Sequence, residues 1–313
     1  MQMLPRVALF EADCIRAMRD IPASSVNLVL CDLPYGTTQN KWDSVIPLDL
    51  LWKEYFRVLK PNGAVILTGQ GPFTARLITS QEDWFKYKLT WVKSKSTNFL
   101  NAKRQPLRRH EDICVFYRRQ PTYNPQMSEG DAYDKGVRKN QHTGSYGDFR
   151  PVHVKSDGGR LPTDVIYYKT AESEGRVYHA TQKPVCLGRY LIRTYSKPGD
   201  VILDNAFGSG SFIVAAVLEG RSAIGIEMNA DIEEFKIGQI DLIQVAAERL
   251  KKSLPCDLKI LRRSQNDKFC DTAEWVVAAS FTQNVSGISN AQPKPARRLA
   301  REPYELSREV VAF

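Results

Sequence analysis

Along the first half of the chain, short apolar runs alternate with stretches in which apolar positions recur every three or four residues, a pattern of strands and amphipathic helices. A strand is predicted over 6–11, a short helix over 13–20 that stops at Ile21-Pro22, and a second strand over 26–30. That second run is β-branched or Leu throughout its apolar positions and lacks alternation, as in a strand covered on both faces of a parallel sheet. A helix over 47–59 follows, stopped by Lys60-Pro61-Asn62-Gly63, then a strand over 64–67, a helix from Pro72 to about 78, and strands over 84–92 and 111–117. The alternation resumes with a helix over 185–195 opened by Pro184, a strand over 201–203, a helix over 211–218, a strand from 222 ending in Glu227, and a long amphipathic helix over 230–251. The pattern predicts a doubly wound α/β fold.

Two regions break it. Residues 118–178 are rich in Tyr, Gly, Asn, Asp and Lys with little period, too long for an ordinary connection, so they form an inserted module or a disordered segment. Past Pro255 the signal weakens to one apolar patch at 275–279 and a basic Arg297-Arg298, and no role is assigned there.

Length and composition fit a folded protein of one large core with an insertion, or of two domains. A formal charge of +9 over 313 residues suits a polyanionic partner, a preference shared with other basic proteins. Six cysteines without paired spacing, away from the four histidines, indicate neither a zinc site nor a disulfide framework. With no bilayer-length apolar segment and no signal-peptide pattern at the N-terminus, the expected location is cytoplasmic, with no membrane partner and no metal.

The candidate chemistry lies at strand ends. Asp32-Leu33-Pro34-Tyr35 leaves the 26–30 strand where a parallel sheet opens its crevice, although an Asp capping a turn with a packed Tyr would read the same way. Asp13 is placed to reach that crevice or to cap a helix. The loop Asp204-Asn205-Ala206-Phe207-Gly208-Ser209-Gly210-Ser211 lets main chain pass beneath a ligand at a helix N-terminus, and Glu227 can accept from ribose hydroxyls. Such a pair alone also suits a dinucleotide, but the Gly-x-Gly-x-x-Gly spacing is missing. Lys93, Lys95, Lys103, Arg104, Arg108 and Arg109, with Phe99 among them, suit phosphate contact beside an exposed base, or form a solvated basic loop.

Asp32-Leu33-Pro34-Tyr35-Gly36 resembles the Asp-Pro-Pro-Tyr signature of DNA methyltransferases that modify exocyclic amino groups. Arg108-Arg109-His110-Glu111 before an apolar strand, Thr181-Gln182-Lys183-Pro184, the Asp-x-x-Phe-Gly-Ser-Gly loop and the terminal Glu227 are similar to further blocks of that family, over about residues 6–250. Their order resembles the circularly permuted, beta-class arrangement. The resemblance implies a Rossmann-like, seven-stranded, mostly parallel sheet with helices on both faces. It implies a catalytic half at 1–119, a target-recognition insertion at 120–178, an S-adenosyl-L-methionine half at 179–252, and an appendage at 253–313.

By that resemblance, Asp32 and the carbonyl of Leu33 accept the amino hydrogens, Pro34 stiffens the turn, and Tyr35 stacks on a base flipped from double-stranded DNA. Asp13, Thr181, Gln182, Lys183, Asp204, Phe207, Gly208, Ser209, Gly210, Ser211 and Glu227 hold the cofactor. Asp at 32 favours adenine N6 over cytosine N4; many relatives are parts of restriction systems and others act alone, so a cognate restriction endonuclease and a homodimer both stay open. Leu33 and Asn205 depart from the family, which usually carries proline at the first and often at the second. Pro255-Cys256 lies outside the catalytic loop and is read as a coincidence, not a C5-cytosine nucleophile. The rivals are an enzyme acting on RNA or protein glutamine, a nucleic-acid-binding relative without catalysis, and a dinucleotide enzyme.

Overall fold

The structure, a computed structural model, describes residues 5–37, 43–138, 151–179, 181–228, 231–234, 238–241, 245–246, 248–249 and 261–263. In chain order these give β1 (Val7–Glu11), α1 (Cys14–Met18), β2 (Val26–Cys31), α2 (Leu48–Val58), β3 (Leu59–Gly69), α3 (Pro72–Ser80), β4 (Phe85–Thr97) and β5 (Arg108–Phe116). The inserted region holds β6 (Ser128–Glu129), β7 (Tyr133–Arg138), β8 (Val152–Ser156), β9 (Gly159–Arg160) and β10 (Val165–Tyr168). The chain continues with α4 (Val185–Tyr195), β11 (Val201–Asp204), α5 (Ser211–Leu218), β12 (Ser222–Glu227), β13 (Asp231–Glu234), β14 (Gly238–Asp241) and β15 (Leu261–Arg263).

Nine strands form one sheet in the order β10-β4-β5-β3-β2-β11-β12-β1-β15. The inner seven are the expected ones, and β10 and β15 extend the edges. Only β5 runs antiparallel to its neighbours. Alternation along β2 sends Leu28 and Leu30 into the core under α4 and α5, and Val29 and Cys31 into the core under α1, α2 and α3. Both faces of β2 are therefore sealed, which explains its apolar run from Leu28 to Cys31.

This topology gathers the chemistry on one edge. Asp32 follows β2, Asp13 follows β1, the glycine loop follows β11 and Glu227 ends β12, all at the carboxyl ends of parallel strands. Lys93 lies late in β4, and because β5 is antiparallel its early residue Glu111 reaches the same edge. The chain winds outward in opposite senses from the adjacent β2 and β11, so the crevice sits at a topological switch point.

Several expectations change. Residues 60–63 do not form a separate turn: β3 begins at Leu59, directly at the end of α2, and the mismatch is absorbed by a register shift between Val26 and Leu28. Strand β4 runs past 92 to Thr97, so the basic stretch is largely a hairpin. Within the insertion, β10 joins the main sheet parallel to β4. The helix expected over 230–251 is replaced at its start by the antiparallel pair β13–β14, in which Ile232 opposes Ile240. Ile232 and Ile240 stand eight residues apart, which fits a period of two as well as one of four, and Gly238 disfavours continuous helix. The apolar patch at 275–279 and most of the appendage at 253–313 lie outside the described residues.

Candidate active site

The first residues after β2 are held by their neighbours. Asp43 accepts from the Gly36 and Thr37 amides at 2.8 and 2.9 Å, closing the turn that carries Tyr35, and Gly36 has the φ of +66° this turn requires. Asp32 Oδ1 accepts from the Tyr35 hydroxyl at 2.9 Å and from Thr68 Oγ1, and Oδ2 accepts from Lys183 Nζ at 2.6 Å. Lys183 lies 3.3 Å from Glu111 Oε2, and Lys93 donates to Glu111 Oε1 at 2.9 Å. Two carboxylates and two ammonium groups thus form one nearly enclosed chain of opposite charges.

Burial opposes the charge on Lys183, but Asp32 and Glu111 outweigh it and raise its pKa above that of an ordinary lysine. Burial likewise opposes ionisation of Glu111, yet Lys183 and Lys93 hold its carboxyl below the usual range. Desolvation, with Asp32 and Glu111 adding to it, raises the Tyr35 phenol well above its ordinary value, so it stays a hydrogen-bond donor. Its ring stacks on Phe73 of α3, with centroids 4.9 Å apart and planes at 27°. The Leu33 side chain is buried in the core.

A cavity of about 600 Å³ joins this cluster to the glycine loop. Its walls include Asp13, Asp32, Leu33, Pro34, Tyr35, Thr181, Gln182, Lys183, Asp204, Phe207, Gly208, Ser209, Ser211 and Glu227. The Gly208 amide donates to Glu227 Oε2 at 2.9 Å, tying the loop to the end of β12. At Gly208, φ is +52° and a Cβ would meet no atom within 4 Å, so main chain borders open space there. Gly210 is different: it caps α5 at a φ of +77°, does not line the cavity, and its Cβ would lie 2.7 Å from Ala246. The structure thus places Gly210 in packing contact behind the cavity wall.

Asp204, buried below the loop, has its pKa raised to about 8 by desolvation, against the Cys31 thiol and the Ala206 amide, with the charges of Asp32 and Glu227 adding to the rise. Asn205 accepts from the Tyr55 hydroxyl at 2.6 Å, a buried bond that proline at 205 would forgo. Asp13 does both things the sequence allowed: it caps α1 through the Arg16 amide at 2.9 Å and lines the cavity. Gln182 accepts from the Tyr178 amide at 3.0 Å, and Thr181 packs its hydroxyl 3.0 Å from His179 Nδ1.

The basic residues divide. Lys93 is buried on Glu111 and lines the cavity, apart from the exposed basic residues of the hairpin. Lys95 lies 3.4 Å from Glu172, Arg108 donates to Gln70 at 2.7 Å on the cavity rim, and Arg109 donates to the Lys93 carbonyl at 3.2 Å. Lys103 and Arg104 are exposed in the β4–β5 connection. Sequence reasoning assigned no site role to Glu111, Thr68, Phe73 and Asp43. Glu111 alone left a signal, in the His110-Glu111 pair. Among the described residues no cluster could hold a metal ion, and no helix is long and apolar enough to cross a membrane.

A family model described as DNA methylase matches residues 26–237, more than half of the chain. The chain belongs to this DNA methylase family. It is 27% identical over 263 residues to DNA adenine methyltransferase YhdJ of Escherichia coli (strain K12), covering 78% of this chain and 86% of that protein. It is 25% identical over 245 residues to type II methyltransferase M.HpaI of Haemophilus parainfluenzae, covering 74% of each. The fold is shared with the cytosine-N4-specific PvuII DNA methyltransferase, with a TM-score of 0.54 and 13% identity over 83% of this chain and 96% of that one. It is also shared with M1.HpyAVI, solved as a SAM complex, with a TM-score of 0.52 and 20% identity over 78% of this chain and 98% of that one. As a member of this family of amino-methyltransferases, the methylase acts on DNA with S-adenosylmethionine as cofactor.

Proposed function

We propose that this methylase modifies the exocyclic N6 of adenine in duplex DNA, on a base turned out of the helix into the cavity beside Asp32. The observation that carries the reading is the placement of Asp32: a carboxylate that accepts from Lys183 at 2.6 Å and opens on the same cavity as Gly208 and Glu227. The likeness to an adenine methyltransferase favours adenine. The likeness to a type II methyltransferase supports a role beside a restriction endonuclease. The order of Asp32 before the glycine loop supports the beta-class arrangement, with 1–119 and 179–252 as two halves around a recognition insertion at 120–178.

The cavity fits the cofactor: Gly208 presents main chain to open space, and the carboxylates of Asp13 and Glu227 suit a ribose and a cationic ligand. When bound, S-adenosylmethionine supplies an electrophilic methyl group. An exocyclic amine is a weak nucleophile because its lone pair is delocalised into the ring. Asp32 and the Leu33 carbonyl accept its two hydrogens, drawing density onto nitrogen and fixing its direction. As nitrogen gains the methyl it sheds one proton, for which Asp32 is the nearest acceptor. The Tyr35 hydroxyl now occupies Asp32 Oδ1, so the amino group of an entering base takes its place there, with the Tyr35 ring stacking on the base.

Labelled methyl transfer to unmethylated DNA, followed by digestion and mass identification of the nucleoside, tests this reading. N6-methyladenine is expected, N4-methylcytosine would correct the base, and no label despite bound cofactor would overturn the reading. Asp32→Asn is expected to abolish transfer with cofactor affinity nearly unchanged.

A further inference from the structure

The two most exposed large apolar side chains among the described residues are consecutive: Phe99 at 75% and Leu100 at 85% exposure. They sit in a one-turn 3-10 helix, Phe99–Asn101, at the tip of the β4–β5 hairpin. Scattered surface apolar residues need no explanation, but two neighbours standing free at one tip do.

The tip is rigid by its own bonding. The amides of Asn101 and Ala102 donate to the Asn98 and Phe99 carbonyls at 3.1 Å, and that of Arg104 to the Asn101 carbonyl at 2.8 Å. The Asn101 side chain donates to Asn98 Oδ1 at 2.7 Å, and Asn98 holds a left-handed φ of +70° that turns the chain out of β4. These bonds fix the turn without using the side chains of Phe99 and Leu100, so both are spare and pre-organised.

Its surroundings are chosen for an anion. Between Lys93 and His110 there is no acidic residue, and Lys103 and Arg104 stand exposed beside the apolar pair. Its position is set by the last paired residues of the hairpin, Thr97 and Arg108, both of which line the rim of the cavity that holds Asp32. A duplex whose phosphates meet Lys103 and Arg104 would bring its base stack against Phe99 and Leu100, next to the pocket that must receive a base.

We propose that Phe99 and Leu100 form a wedge that enters the base stack at the target step and holds the pair open while the base occupies the cavity. This deepens, and rests on, the reading of the site as a duplex-DNA methylase. Apolar wedges of this kind offset unstacking by filling the space a base has left.

The test uses the full-length protein, the Phe99→Ala/Leu100→Ala double variant, and a duplex carrying a site mapped from the wild-type methylation products. Single-turnover transfer is compared on that duplex and on one with an abasic position opposite the target, where no pair has to be opened. The double variant is expected to lose about tenfold or more in rate on the paired duplex, with little change in DNA affinity, and to recover most of it on the abasic duplex. Equal loss on both duplexes would mean that the tip supports folding or cofactor binding, and would overturn the proposal, as would unchanged rates. Wild-type protein that methylates no DNA would instead overturn the reading beneath it.

Discussion

Lys183 falls within a block that the family resemblance assigns to the cofactor, yet its ammonium group sits between Asp32 and Glu111, more than seventy residues from either along the chain. Nothing in local pattern could bring these three together; only the β2–β11 switch point does. The buried chain Asp32–Lys183–Glu111–Lys93 is charge-balanced, so removing one member leaves an uncompensated charge, at a cost of about 3–5 kcal/mol. Glu111→Gln is therefore expected to lower the thermal unfolding midpoint and to slow transfer; a calorimetric midpoint equal to wild type would show that the chain is not energetically coupled. Asp204 predicts a pH effect. Its folded pKa of about 8 exceeds the unfolded carboxyl value, so the folded state holds a proton that the unfolded state has released. Stability is lost as pH rises through that window, and Asp204→Asn, which cannot ionise, escapes the loss. The midpoint of the variant relative to wild type should thus improve between about pH 5 and 8, read by thermal scans without cofactor; a constant difference would place the Asp204 pKa in the normal range.

At the scale of elements, the strands and helices that carry their own punctuation were legible, and those defined by partners were not. Helices α4 and α5 coincide with the expected 185–195 and 211–218 because Pro184 and Gly210 mark their starts. Strand β4 ran beyond expectation because pairing with β5 continues it. The alternation of Leu89, Trp91 and Lys93 then turns that lysine inward. The same period could have flagged Lys93, since a cation on the buried face needs a partner, but its Glu111 is visible only once register is known. The glycine loop gave its location correctly and its division of labour not at all. Gly208 borders open cavity and Gly210 abuts Ala246. Gly208→Val is expected to lose cofactor affinity beyond its fall in melting temperature, measured by calorimetric titration. Gly210→Ala is expected to lose stability, and Ala246→Gly to restore part of it, the positive φ accounting for the rest. No recovery in the double variant would break the proposed contact.

Over the whole molecule, a charge of +9 invites the assumption that every lysine near the site contributes to DNA binding. The structure separates the field from the contacts. Lys93 spends its charge on Glu111 inside the wall, whereas Lys103 and Arg104 project from the hairpin tip with no acidic residue between them and either strand end. Each phosphate neutralised releases condensed counterions and adds about 0.9 to the slope of log affinity against log salt concentration. Lys103→Ala/Arg104→Ala should therefore flatten that slope by about 2 between roughly 50 and 200 mM salt, and weaken matched and unmatched duplexes alike. Lys93→Ala should leave the slope as it is while lowering stability and turnover, because it strands Glu111 instead of releasing a phosphate. Fluorescence anisotropy across a salt series reads both. Equal slopes for all three proteins would move the DNA track away from the β4–β5 hairpin. A flattened slope for Lys93→Ala would mean that the buried pair opens when DNA arrives.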